Sequence, residues 1–354
     1  MVSKTLFDPA PKDDPRFLYG RDRELTELVS LLMKGEWVVL LGPRRVGKTS
    51  LALSAAASMK IPTLAIDSRI DADLSRALTL QLSKNARTAV GGNISVPQIG
   101  IGFSYSRESL ERTLDSLLSG LKRTLVILDE AQWLSNPRRV NMILSHIFDY
   151  HHDKVTCIIT GSAVGVMRSI TDPGVRSPLY GRSITQMRVG KWMDPSTSIN
   201  FLREGCRQNG MPFNEGEMAG LAGKLGGIPG WLTLFGHQYA ISGDPRKAMR
   251  IVRAQAMRIV REELENTSKV AMGWKRELGI LEEIGNGGRR FSELQDRFNV
   301  GSAPLSRNLQ MLMRLEYVEK DVDGKYVISD PMVGEYLKKS RGITIDGSDS
   351  KHSR

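Results

Sequence analysis

Apolar residues along the chain follow two rhythms. Short continuous runs, Trp37–Leu41, Ile61–Asp67, Thr124–Leu128 and Val155–Thr160, predict buried strands. Between them Ser50–Met59, Leu110–Leu118 and Asn141–Tyr150 carry the helical period. Strand–helix alternation of this kind predicts a parallel sheet covered on both faces. One stretch departs from it. Ile99, Ile101, Phe103 and Tyr105 alternate with Gly and Ser, so 94–105 reads as a hairpin inserted in the α/β core.

Beyond residue 190 the strand signal fades. Ser196–Gln208 and Glu215–Leu225 read as helices, Gly226–Gly230 as a break, and Asp244-Pro245 as the start of a helix reaching about Leu264. On that last helix Arg246, Arg250, Arg253 and Arg261 share one face, and Val252, Ala256, Ile259 and Val260 an adjacent apolar one. The pattern changes again near Lys269. Three helices, Trp274–Ile284, Ser292–Phe298 and Ala303–Leu315, precede a strand pair over Tyr317–Ile328 that turns at Asp323-Gly324. That order predicts a winged helix-turn-helix. The division expected is a core over 1–190, a helical lid over 191–265, a winged-helix domain over 266–340 and a disordered tail over 341–354.

Candidate chemistry sits at the strand ends. Gly42-Pro43-Arg44-Arg45-Val46-Gly47-Lys48-Thr49 is a complete G-x-x-x-x-G-K-[ST] phosphate loop between a predicted strand and a predicted helix that opens at Ser50. The glycines let successive N–H groups turn toward phosphate oxygens, Lys48 reaches the β- and γ-phosphates, and the Thr49 hydroxyl is a ligand for Mg²⁺. The Arg44 and Arg45 side chains are expected to face solvent or a partner. The strand 124–128 ends in Asp129-Glu130, a Walker B pattern that assigns Asp129 to the Mg²⁺ shell and Glu130 to general base. Thr160 and Ser162, at the end of 155–160, are candidates for a polar sensor between Glu130 and the γ-phosphate. An Asn-Lys-x-Asp guanine-reading motif does not follow the loop, which favours ATP over GTP.

Further segments carry a resemblance. Phe17-Leu18-Tyr19-Gly20-Arg21-Asp22-Arg23-Glu24-Leu25 resembles the F-x-G-R-x-x-E-L box of STAND-type ATPases, and Ser177–Arg182 and Gly226–Leu232 follow in the same order. Over about residues 5–340 the chain is similar to the predominantly archaeal branch of that class, related to AAA+ and origin-recognition proteins. The resemblance implies that Tyr19, Gly20 and Arg21 pack against adenine and ribose. It also implies that Pro229 closes over the adenine from the lid and that Arg182 approaches the phosphates as a sensor or finger-like arginine. The fold implied is an α/β, AAA+-like P-loop NTPase with lid and winged helix, binding ATP or ADP with Mg²⁺.

Composition narrows the partners. The net charge of +11 invites an anionic one, yet its distribution is uneven: +7 over 1–190, +4 over 191–262 and −1 over 263–340. Ser306, Arg307, Asn308, Gln310 and Arg314 could read DNA, but a near-neutral module is a poor stand-alone DNA binder, which favours packing on the core. A DNA or acidic protein partner stays open. Apolar runs fall short of a membrane span, and acidic residues and prolines stand where a signal peptide has its apolar core. A cytoplasmic protein, monomeric or oligomerising with nucleotide, is expected. Cys157 and Cys206 lack metal-ligand spacing, the five histidines make no metal constellation, and His151-His152 ends a helix. Two functions follow: a slowly hydrolysing ATP switch moving lid and winged helix, or an ATP-licensed DNA-binding regulator or initiator. A nucleotide-holding scaffold that never turns over is a third.

Overall fold

A computed structural model describes residues 5–90, 115–161, 166–190, 193–270 and 274–346. Two compact units make up the chain. One comprises residues 11–42 and 48–189; the other comprises 1–10, 43–47 and 190–354.

In the first unit, β1 (Trp37–Leu41), β2 (Thr63–Asp67), β3 (Thr124–Asp129), β4 (Val155–Thr160) and β5 (Ile184–Arg188) form one parallel sheet ordered β2-β3-β4-β1-β5. The central strands β1, β3 and β4 are buried along their whole length, as continuous apolar runs in a parallel sheet require. Their register sets Val39 beside Ile159, and Leu128 beside Ile159 on the other side. Helices α1 (Asp22–Met33), α2 (Lys48–Met59), α3 (Leu74–Val90), α4 (Pro137–His151) and α5 (Val166–Thr171) connect the strands. Residues 115–119 are also helical. α4 begins four residues before the predicted start because the Asn136 side chain accepts from Arg139 N at 3.1 Å and Pro137 occupies the first turn. Trp37 anchors the lower edge of the sheet. Its indole N–H donates to Val155 O at 3.1 Å, and its ring meets Phe148 edge-on at 5.3 Å.

The strand order has a chemical consequence. β1 leads into the phosphate loop and β3 ends in the acidic pair, yet β4 lies between them. The last residue of β4, Thr160, therefore enters the space between the two. The β5 strand and α3 were not expected from the sequence. β5, at the sheet edge, buries only Met187 and carries polar residues around it, so it lacks an apolar run.

In the second unit, α6 (Pro195–Gln208), α7 (Glu215–Lys224), α8 (Pro229–Ser242) and the 26-residue α9 (Pro245–Val270) are followed by α10 (Trp274–Gly285), α11 (Phe291–Phe298) and α12 (Ser302–Arg314). The antiparallel pair β6 (Val318–Lys320) and β7 (Tyr326–Ile328) and then α13 (Pro331–Asp346) close the chain. Side chains of Asp194 and Asn214 cap α6 and α7. Phe7 is buried in this unit. A Cβ placed on Gly205 or Gly236 would come within 2.2 or 2.1 Å of its ring, so both glycines are there to admit it.

Several expectations change. Residues 1–10 and 43–47 group with the helical unit, not with the sheet that the sequence assigns them to. Helix α13 carries residues 341–346, which had been read as disordered tail. The inserted hairpin at 94–105 and residues 347–354 lie outside the described residues.

Candidate nucleotide site

The two glycines of the loop adopt backbone angles that other residues avoid, φ 155° at Gly42 and 93° at Gly47. Lys48 opens α2, and its Nζ donates back to Gly42 O at 2.5 Å, a contact that phosphate oxygens can replace. The Ser50 Oγ accepts from Lys12 N at 3.0 Å. Val46 is fully buried and anchors the loop.

The acidic end of β3 meets α2 and β4. Thr49 Oγ1 lies 3.0 and 3.1 Å from the two carboxylate oxygens of Asp129, and Thr160 Oγ1 donates to Asp129 Oδ1 at 2.5 Å. Burial pushes the Asp129 carboxyl above the ordinary range, and Glu130 and Asp67 add to this, while the two threonine hydroxyls oppose it. A hydroxyl and a carboxylate converging within 3.1 Å, with an acid that is costly to ionise alone, fit a divalent cation; Thr49 and Asp129 are the residues that would hold Mg²⁺.

Glu130 follows in a left-handed conformation, φ 54° and ψ 43°, a strained state for a residue with a Cβ. Its N–H donates to Thr160 Oγ1 at 3.1 Å. Its carboxylate accepts a short hydrogen bond from the Gln132 side-chain amide. Thr160 thus touches both acidic residues. Ser162, the other candidate, lies outside the described residues. Gln132 was not singled out in the sequence. A signal exists only in hindsight: a Cβ on Gly161 would meet Gln132 Oε1 at 2.4 Å, so the glycine after β4 makes room for that side chain. Arg69 was also missed. It pairs with Asp67, whose carboxylate raises the guanidinium pKa most, and Glu130 and Asp129 raise it further, so a cation stands in the field of both Walker B acids.

Further site residues expected from the resemblance lie in the sheet unit. Arg21 is buried at the N-terminus of α1 and pairs with Glu24 at 2.6 Å, with Gly20 before it at φ 66°. Tyr19 is half-buried beside them in the same unit. Arg182 is held by Asp149 of α4, Nε to Oδ1 at 2.8 Å.

The Arg45 side chain, expected to face solvent or a partner, is turned onto acidic residues of its own chain. It is only 14% exposed, with φ 66°, and belongs with Pro43, Arg44 and the helices of the second unit. Its guanidinium makes a short ion pair with Glu263 of α9, lies 3.4 Å from Asp330 Oδ2, and stacks on Trp231 of α8. Its carbonyl accepts from Gly230 N at 2.9 Å. Pro229 therefore sits at the first position of α8, directly before the N–H that holds the loop residue. Arg44, more exposed, reaches the same Glu263 at 3.4 Å. Asp330 also accepts from the Trp231 indole at 3.0 Å and from Met332 N at 2.8 Å.

The histidine expectation changes as well. His146 and His151 of α4 converge on Asp115.

Comparison with known proteins adds a family. Residues 18–235 match the model of an ATPase domain predominantly from Archaea. The structure is similar to the Walker-type ATPase PABY2304 of Pyrococcus abyssi, with a TM-score of 0.78 and 27% identity over 94% of this chain and 99% of that one. An uncharacterised protein of Methanocaldococcus jannaschii is 24% identical over 336 residues, 90% of this chain and 67% of that protein. Among the described residues no helix is long and apolar enough to cross a membrane.

Proposed function

This chain belongs to the ATPase family found predominantly in Archaea, and from that premise we propose that it is a Mg²⁺-dependent ATP switch of the STAND and AAA+ kind. In this reading the nucleotide state of the loop sets the arrangement of the lid helices and of a C-terminal winged helix. Lys48 and the loop N–H groups bind the phosphates, and Thr49 and Asp129 hold Mg²⁺, which supplies charge neutralisation on the phosphate oxygens. Glu130 orients and deprotonates the attacking water, and Thr160 fixes the geometry of both acids.

The observation that carries the switch is the clamp on Arg45. A residue from the middle of the phosphate loop is held by α8, by α9 and by the segment leading into α13. Phosphate entering the loop reorganises its backbone, and Arg45 cannot move without changing those three contacts. Differential affinity of nucleotide for the clamped and released loop is what a switch requires. The test is hydrogen exchange of residues 229–270 and 326–333 with ATP, with ADP and without nucleotide, in the wild type and in Lys48→Ala. Protection that follows nucleotide and disappears in Lys48→Ala supports the switch, whereas identical exchange in every state removes it.

One observation favours a second reading. Helix α12 leaves Arg307, Gln310 and Arg314 exposed, at spacings that share a helix face. An ATP-licensed DNA contact through this face predicts a salt-dependent affinity lost on Arg307→Ala and Arg314→Ala, read by filter binding.

A further inference from the structure

Three ligand-type side chains meet in the sheet unit, away from the nucleotide chemistry. His146 Nε2 lies 2.9 Å and His151 Nε2 2.8 Å from the same oxygen, Oδ1 of Asp115. One ligand atom from each residue falls within 4.8 Å of the others. We propose that Asp115, His146 and His151 form a binding site for a borderline divalent transition-metal cation, zinc foremost.

The donor set selects the ion. Imidazole nitrogen suits zinc and its neighbours, whereas Mg²⁺ and Ca²⁺ take oxygen. Zinc bonds to nitrogen and carboxylate oxygen at about 2.0–2.2 Å, which sets ligand atoms around a tetrahedral ion roughly 3.3–3.5 Å apart. The two histidine–carboxylate separations need open by only about half an ångström, and the two imidazole nitrogens already lie within 4.8 Å of each other. Two neutral imidazoles and one carboxylate leave a fourth position for water or a further ligand. His151 is buried, His146 mostly so, and the Asp115 side chain is 45% exposed, which gives an entry path. The exposed Tyr150 packs its ring 4.9 Å from that of His146. Asp149, one turn from His146, neutralises Arg182, which removes a nearby uncompensated cation.

Position separates this site from ATP. His151 ends α4 immediately before β4, so the cluster stands at the entry edge of the sheet, while Thr160 and Asp129 stand at the exit edge. The six residues of β4 place the two edges roughly 20 Å apart. The metal would cross-link residues 115–119 to the last turn and a half of α4.

Zinc and cobalt are titrated into the full chain with excess Mg²⁺ present, which occupies oxygen-only sites. Calorimetry, the ligand-field absorption of Co²⁺ and the thermal midpoint are read. One equivalent, visible cobalt bands and a raised midpoint are expected. Each of His146→Gln, His151→Gln and Asp115→Asn should weaken binding at least about tenfold, and Asp129→Asn should leave it intact. Absence of binding, undiminished binding in any one of the three variants, or loss in Asp129→Asn alone would overturn the assignment. Should the buried His151→Gln fail to fold, His146→Gln and Asp115→Asn, at partly exposed positions, decide it.

Discussion

Arg45 stacks on Trp231, with its guanidinium carbon 4.1 Å from the ring centroid, while the Trp231 indole N–H and the Arg45 guanidinium share one carboxylate, that of Asp330. The planar, permanently charged group satisfies ring and carboxylates at once, which an ammonium would not. Arg45→Ala is expected to destabilise the helical unit by about 3 kcal/mol, the lower end for breaking a buried pair, because it strands Glu263 and Asp330. Arg45→Lys should recover only part of this. Urea denaturation followed by tryptophan fluorescence measures both.

Asp330 brings a pH dependence. Burial raises its carboxyl pKa, against the pull of Arg45, the Met332 amide and the Trp231 indole. The sign follows from a folded-state pKa above the unfolded one. This group's contribution to stability is most favourable below the unfolded value of about 3.9 and falls as pH rises through the folded value. Asp330→Asn should remove that slope. Stability curves of both proteins from pH 3 upward, compared by difference, test it.

Loss of Lys48 or Glu130 should abolish turnover for different reasons. Lys48→Ala is expected to weaken ATP binding, whereas Glu130→Gln keeps binding and lowers turnover by about 10²-fold or more. Calorimetric ATP affinity alongside phosphate release separates the two, and equal turnover in all three proteins would remove the catalytic assignment.

Asp129 must be ionised to hold Mg²⁺, yet burial keeps its pKa raised. Mg²⁺ affinity of the ADP-bound protein should therefore begin to fall at a pH above the ordinary carboxylate value of about 3.9 as the solution is acidified. A fall confined to that ordinary value would contradict the buried environment.

Gln132 donates to Glu130 Oε2 and so ties up one of the two oxygens that would accept a proton from water. Gln132→Ala is expected to raise basal turnover by up to about tenfold, the worth of one hydrogen bond, with ATP affinity unchanged. Single-turnover rates discriminate this from a faster product release.

The strands and the loop were legible because continuous apolar runs that end in Gly or Asp have few alternative folds. What stayed hidden depended on distance. Glu263 and Asp330 stand 218 and 285 residues from Arg45, and Asp115 stands 31 and 36 from the two histidines that join it. No local periodicity records such pairings. Helix α8 escaped for another reason: it is apolar nearly all round and starts inside the Gly-Gly-Ile-Pro-Gly break, so the break masked the helix. Gln132 and Arg69 belong to no spacing rule and are functional candidates only through what they touch.

Residues 43–47 belong with a unit whose other members, apart from the first ten residues, lie at position 190 and after. A chain emerging from the ribosome exposes the loop, and can complete the sheet from Trp37 to Arg188, before Glu263 or Asp330 has been made. The nascent protein thus passes through a period in which its phosphate loop is built but unclamped, a period that ends only as Glu263 and then Asp330 are made.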